Sequence, residues 1–200
     1  MKDSLMVVGF FALGVVLGRM DVVPAWMHDS RITFVALCSL LFCVGLTIGS
    51  NENIAAEFKA LNPRLAFMPI ATILGSFAGS LVAWCLLQYR GVTDCLAVGS
   101  GFGYYSISSI FITQYKGAEL GTVALLANIY REMITLLFAP LLAKVFGPLA
   151  PISSGGATTM DTTLPIIVNT CGSQFTVVSL FHGFIVDFSV PFLVTMWCIL

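Results

Sequence analysis

The chain breaks where a membrane helix ought to be continuous. Residues 150–175 read Ala-Pro-Ile-Ser-Ser-Gly-Gly-Ala-Thr-Thr-Met-Asp-Thr-Thr-Leu-Pro-Ile-Ile-Val-Asn-Thr-Cys-Gly-Ser-Gln-Phe and lie between two long apolar runs. A lipid-facing helix does not place Gly155-Gly156, Asp161 and Pro165 together. Irregular backbone at membrane depth is tolerated only where it is buried in protein or lines a cavity. An ionisable side chain at that depth is by default a candidate site residue. A helix broken near the midplane, with polar groups at the break, is a common way for secondary transporters to build a substrate or ion site.

That reading needs a membrane setting, and composition supplies one. The chain is 58% hydrophobic and 10% charged, with a mean hydropathy of +0.97. A soluble domain of 200 residues has no core large enough to hide so much apolar surface. The apolar runs are Leu5–Leu17, Ile32–Ile48, Leu65–Leu87, Ala118–Phe146 and Phe175–Leu200, and two glycine-broken segments cover Thr93–Gln114 and Leu149–Gly172. The expected architecture is all-α: a polytopic helical membrane protein with about five continuous transmembrane helices and two broken or re-entrant elements. Residues 1–200 read as one transmembrane domain, with a three-helix packing part at 1–90 and both broken elements in 91–200. Near the N-terminus, Arg19-Met20-Asp21 follows the first apolar run and no Ala-x-Ala-like site does, which argues against a cleaved signal peptide.

The net charge of −1 excludes a basic face for nucleic acid or a polybasic lipid patch. With the N-terminus inside and five spans, Lys2, Lys59, Arg64 and Lys144 are cytoplasmic and Arg19, Arg31, Arg90 and Lys116 external. This balance does not fix an orientation. The six cysteines (Cys38, Cys43, Cys85, Cys95, Cys171 and Cys198) form no Cys-x-x-Cys and read as small buried hydrophobes. The loop at 50–63 reads as a solvated connection with a short amphipathic turn.

Glycine pairs four apart (Gly14/Gly18, Gly45/Gly49, Gly75/Gly79) put close-approach faces on the first three helices. A second broken stretch, Gly99-Ser-Gly-Phe-Gly-Tyr-Tyr-Ser-Ile-Ser-Ser109, alternates Gly99, Gly101 and Gly103 and then supplies hydroxyls at Tyr104, Tyr105, Ser106, Ser108 and Ser109. Each glycine disfavours helix by about 1 kcal/mol. The stretch is either a packing corner or an unwound element whose free backbone groups and hydroxyls face a polar cavity. The same glycine-then-hydroxyl order in both breaks favours the second. Gly99, Gly101, Gly103, Gly155 and Gly156 are therefore the expected broken-helix backbone, needed for close approach or for positive φ.

Asn128, Arg131 and Glu132 share a face of the helix at 118–146, so the two charges are expected to neutralise each other or to contact substrate. Pro140 is expected to bend that helix. On the last helix His182 and Asp187 form a candidate proton relay, with a buried structural histidine as the alternative. Asp161, Thr158 and Thr159 are the candidate substrate or proton site at the second break. The N–H groups following Gly155-Gly156 are the expected anion-binding region.

Four motifs, in order, are Ser-Gly-Phe-Gly-Tyr-Tyr-Ser-Ile-Ser (100–108), Asn-x-x-Arg-Glu (128–132), Gly-Ala-Thr-Thr-Met-Asp-Thr-Thr-Leu-Pro (156–165) and His-Gly-Phe-Ile (182–185). Together they resemble the C-terminal part of the LysO family of bacterial lysine exporters. The resemblance implies export of L-lysine or a close basic analogue from the bacterial inner membrane by a multi-pass transporter, with Asp161 in the family's Gly-Ala-Thr-x-Met-Asp motif. It implies no cofactor; protons are the expected coupling ion, exchanged by antiport. Single-chain members carry a further N-terminal portion of about three helices with an acidic residue thought to work with that Asp. No match to it is found in this chain, which is similar to the larger polypeptide of a split exporter. A small membrane protein of about three helices is therefore the expected partner, with further association of such heteromers conceivable. The rival readings are an intramembrane aspartyl hydrolase using Asp161 and Asp187, and a non-transporting scaffold subunit.

Overall fold

A computed structural model describes residues 63–87 and 89–200, together with isolated positions 9, 13–14, 16–20, 24, 35, 39, 42 and 46. The chain forms two compact units, Met1–Ala60 and Leu61–Leu200, and both glycine-broken segments lie in the second. The expected helices at 5–17 and 32–48, the Gly45/Gly49 pair and the loop at 50–62 lie largely or wholly outside the described residues.

After a 3₁₀ turn at Pro63–Phe67, α1 runs Met68–Leu87, α2 Val92–Gly99, α3 Tyr105–Lys116 and α4 Ala118–Phe146. Then come α5 (Ala150–Gly155), a 3₁₀ turn (Gly156–Met160), α6 (Leu164–Cys171), a 3₁₀ turn (Ser173–Phe175) and α7 (Thr176–Ile199). Among the described residues three stretches are long and apolar enough to cross a membrane: Leu65–Leu87, Ala118–Phe146 and Ser173–Ile199. At about 1.5 Å of rise per residue each exceeds the hydrocarbon thickness. Both broken elements are present, α2 with α3 and α5 with α6, and both are interrupted at the expected glycines. Single glycines at positive φ, Gly117, Gly147 and Gly172, turn the chain into the next element. The α4 helix continues through Pro140, and α7 through Pro191.

Two apolar clusters sit at opposite ends of α4 and α7. One joins Ala97, Phe102, Ile112, Leu120, Ala124, Ala157 and the α7 residues Val186, Val190, Val194 and Cys198. The other joins Met68, Ala139, Ile152, Ile166, Ile167 and Val178. The polar side chains of α4 and α7 are gathered between these ends: Asn128, Arg131 and Glu132 on one, His182 and Asp187 on the other. Exposed positions of the long helices are largely apolar, among them Leu74, Leu81, Phe138, Leu141, Phe188 and Phe192. That is the surface hydrocarbon accepts, with the polar layer hidden inside.

The α1 helix belongs to the same unit as the breaks and contributes directly to them. Its glycines and its hydroxyls lie on different faces. A Cβ built on Gly75 or Gly79 meets nothing within 4 Å among the described residues. The inward face is instead Thr72-Ser76-Ser80, each one turn from the next: Thr72 and Ser80 are buried, and Ser76 reaches Arg131.

Candidate functional site

The two breaks meet backbone to backbone. The carbonyl of Phe102 in the first accepts the N–H of Ala157 in the second at 2.9 Å. Gly156 has φ +64, and a Cβ there would collide with that carbonyl. Gly103, at φ +94, lies against the carbonyl of Gly155, 3.1 Å from where its Cβ would be. Only glycine tolerates both the left-handed backbone and the approach. Phe102 is the non-glycine residue with positive φ (45°) among the described residues, and it is fully buried. That conformation costs about 1–2 kcal/mol. The surroundings hold it: its ring packs 6.2 Å from Phe77 and lies beneath the Arg131 guanidinium.

The five glycines of the expected broken backbone are not alike, which corrects the picture of five unwound residues. Gly99 and Gly155 are the last helical residues of α2 and α5. Gly101 lies between α2 and α3, but its φ is not positive. Space rather than backbone angle requires a glycine at Gly101: a Cβ would collide with the Asn128 amide. At Gly99 a Cβ would strike the Ser80 hydroxyl, and at Gly155 it would crowd the side chains of Thr159 and Thr163. Only Gly103 and Gly156 of the five have left-handed backbone.

One helix holds both breaks. Asn128 on α4 accepts the Gly103 N–H at 2.8 Å, and its amide donates to the carbonyl of Ala124, with longer contacts to Val98 and Ser108. Three residues on, Arg131 donates from Nε to the Ser154 carbonyl at 2.9 Å and from Nη2 to the Ser153 carbonyl at 3.0 Å. These carbonyls belong to the interrupted end of α5. A guanidinium there supplies the donors that the missing turn would have supplied. Nη1 donates to the Ser76 hydroxyl at 2.9 Å.

A second network surrounds His182, which is fully buried. Its Nε2 lies 2.9 Å from the Thr72 hydroxyl, which in turn lies 2.9 Å from the Ser153 hydroxyl. Its Nδ1 lies 3.2 Å from the Thr159 hydroxyl, which donates to the carbonyls of Gly156 and Ser179. Gly183 makes room for this approach: a Cβ there would stand 2.7 Å from the Met160 nitrogen.

The acids gather beyond the second break. Asp161 follows the 3₁₀ turn and accepts the N–H and the hydroxyl of Thr162. The Thr162 side chain also lies beside Glu132. Asp161 lies within electrostatic range of both Glu132 and Asp187. Tyr104, beside Ser106, is within electrostatic reach of Asp187 and Asp161; Tyr105 is within reach of Glu132 and Asp161. Asp161 is thus within electrostatic range of two carboxylates and two phenols, where the backbone is irregular.

On another side of α4 lies a cavity of about 450 Å³. Ser76, Ser80, Asn128 and Arg131 line it deep in the bundle, and Arg90, Asp94 and Glu119 line it near the helix ends. Arg90 pairs with Glu119, and Lys116 with Asp94 at 3.4 Å.

The family model described as lysine exporter LysO matches residues 8–198. The chain belongs to the LysO family. Lysine exporter LysO of Escherichia coli K12 is 29% identical over 195 residues, which cover 98% of this chain and 64% of that relative. A Haemophilus influenzae Rd protein, provisionally named a lysine exporter, is 30% identical over 186 residues, covering 92% of this chain and 93% of its own. The chain therefore spans less than two thirds of the length of the first relative and nearly all of the second. No solved structure matches. The family is one of transporters rather than enzymes, which removes the hydrolase alternative.

Within this LysO-family chain the motif residues divide by role. Asp161, Glu132, Asp187, Tyr104 and Tyr105 come together, with Ser106 behind Tyr104. Asn128, Ser108 and Thr158 do not join them. Asn128 clamps the first break, Ser108 bonds the carbonyl of Tyr104, and Thr158 bonds the carbonyl of Gly155 and the Thr163 hydroxyl.

Three further expectations are corrected. Arg131 and Glu132 do not neutralise each other: adjacent residues diverge by about 100° around a helix, and each has other partners. His182 and Asp187 do not form a relay: five residues apart they face different sides, His182 toward hydroxyls and Asp187 toward Asp161. Nor do the N–H groups after Gly155-Gly156 form an open anion site. Ala157 N–H bonds Phe102, those of Asp161 and Thr163 bond Thr158, that of Leu164 bonds the Asp161 carbonyl, and that of Thr162 bonds the Asp161 carboxylate.

The sequence reading missed Thr72, Ser76, Ser153, Ser154 and Thr162, and it missed Phe102 as the contact point of the breaks. The four-residue spacing of Thr72, Ser76 and Ser80 was the available signal for the first two. Phe102, between two glycines, announces nothing by residue type.

Proposed function

We propose that the chain is a multi-pass secondary-transporter subunit of the bacterial inner membrane that exports L-lysine or a close basic analogue in exchange for protons. The observation that carries this reading is the position of Asp161 at Thr162, within electrostatic range of Glu132, Asp187, Tyr104 and Tyr105. Like charges gathered away from water are unfavourable unless a cation or protons neutralise them. An ammonium group does so, and so do protons, but the two compete. That competition couples outward movement of a cationic amino acid to inward movement of protons. The name of the E. coli relative supports lysine as the cation.

In this reading both broken elements cross the membrane rather than re-enter. The arms α5 and α6 do not pack along one another, as the arms of a re-entrant hairpin would, and α2 and α3 touch only slightly. A small membrane protein of about three helices completes the exporter, and the open Gly75/Gly79 face offers it a close-packing surface. Two such heteromers can associate further.

The test is lysine efflux from preloaded vesicles containing the purified chain, with and without a candidate small subunit, under an imposed proton gradient. Gradient-dependent efflux of lysine is the expected result. Efflux from neither preparation overturns the substrate; efflux indifferent to the gradient overturns proton exchange. Full activity of the chain alone overturns the partner.

A further inference from the structure

We propose that the cavity floored by Arg131 is a carboxylate-binding subsite, built to hold the α-carboxylate of the transported amino acid. The proposal rests on the lysine-export reading only for the identity of that carboxylate.

Arg131 is a cation deep in an apolar bundle, with no anionic partner among the described residues. Among the described residues the ion pairs are Arg90 with Glu119 and Lys116 with Asp94, and Arg131 is in neither. Its acceptors are two carbonyls and a hydroxyl, all neutral. The carbonyl end of α5 supplies a partial negative charge, and a helix of six residues supplies only part of one. A guanidinium has five N–H donors. Three are used here, one each from Nε, Nη1 and Nη2, so one N–H on each terminal nitrogen remains. Two terminal N–H groups suit a carboxylate, which accepts from a planar fork.

The surroundings fit the same ligand. Arg131 is only partly shielded, and it lines the cavity together with Ser76, Ser80 and Asn128. The Ser76 hydroxyl, which accepts from Arg131, can donate to an anion, whereas that of Ser80 donates to the Ser76 carbonyl; among the described residues no carboxylate lines the deep part. At about 450 Å³ the space is ample for an amino acid. The acids that would hold an ammonium face a different side of α4, one residue on. A zwitterion with a cationic side chain needs both kinds of subsite, and the chain keeps them apart so that they do not neutralise each other.

Cys95 lines the same cavity and provides a readout independent of transport. In a variant with the other five cysteines replaced, alkylation of Cys95 by a small charged thiol reagent is followed with ligand pairs that differ only in the carboxylate. The pairs are L-lysine with L-lysinamide and acetate with acetamide. The carboxylate member is expected to slow alkylation at a concentration about tenfold below its amide, or lower, in both pairs. Arg131→Gln removes the difference, and Arg131→Lys restores part of it. Equal protection by acid and amide in both pairs overturns the subsite, as does discrimination that survives Arg131→Gln. Discrimination in the acetate pair with no protection by lysine keeps the subsite and overturns lysine as the substrate. The comparison within wild-type Arg131 stands even if the substituted proteins fail to fold.

Discussion

The two breaks answer the same problem with different chemistry. At 100–104 the interrupted backbone is satisfied by neutral groups: the Asn128 amide takes the Gly103 N–H, and the Ser108 hydroxyl takes the Tyr104 carbonyl. At 153–163 the backbone is held at its start by a guanidinium, on the carbonyls of Ser153 and Ser154, and carries a carboxylate at Asp161. Neutral donors and acceptors hold a shape at little electrostatic risk. Charges in a bilayer are far more costly, and a protein keeps them where something charged must pass. The neutral clamp on the first break is what a scaffold needs, while the charges lie at the second, with Tyr104 and Tyr105 at the edge of the first within their reach.

The sharpest way to break this contrast is Asp161→Asn. It keeps the volume and removes the charge that an ammonium needs, a loss of about 3 kcal/mol or roughly 100-fold in lysine efflux at matched abundance. Near-normal efflux would remove the second break from the mechanism. Gly156→Ala strikes the contact between the breaks. The left-handed backbone alone costs an alanine about 1–2 kcal/mol, and its Cβ meets the Phe102 carbonyl. Efflux should fall with assembled protein still detectable by size-exclusion chromatography; unchanged flux would mean that the crossing is not under constraint. Asn128→Ala tests the scaffold. It strands the buried Gly103 N–H, worth about 1–3 kcal/mol of stability in a detergent melting experiment. A flux loss without a stability loss would put the first break in the transport step as well.

Smaller effects sharpen the picture. Arg131 and Glu132 have separate partners, so a double-mutant cycle on stability should give a coupling within about 0.5 kcal/mol of zero. Strong coupling would show that the two charges do interact. The smallest effect is expected for Gly79→Ala. With open space beyond its Cβ among the described residues, the melting temperature of the isolated chain should barely move, whereas binding of a partner helix would weaken.

Much of this was legible beforehand, and for identifiable reasons. The long apolar runs and both breaks could be read because glycine, hydroxyl and carboxylate residues are rare in lipid and their clustering is itself a signal. Asp161 could be singled out for the same reason. Partnerships were not legible. Asn128, Arg131 and Glu132 share a helix face at the resolution of a helical wheel, yet one turn separates the group that holds the first break from the group that holds the second. Whether Arg131 meets Glu132 or the carbonyls of Ser153 and Ser154 depends on where α5 ends, and that is set by tertiary packing. The glycines divide in the same way: residue type marks Gly101 and Gly103 alike, but only packing tells that one makes room for an amide and the other turns the chain. His182 and Asp187 look like companions in sequence, but each is claimed by a different neighbour across the bundle. The role of Phe102 comes from its backbone angle, which no residue-type preference reveals.

The grip of α4 on both breaks has a consequence for how such chains can vary in length. Asn128 and Arg131 are set by their spacing as much as by their identity. One extra residue between them would turn Arg131 by about 100° around the helix axis and shift it by about 1.5 Å, away from the carbonyls of Ser153 and Ser154. Insertions and deletions should therefore be absent from this short stretch in any working relative. The turn at Gly147 and Pro148, which carries no such alignment, is free to lengthen.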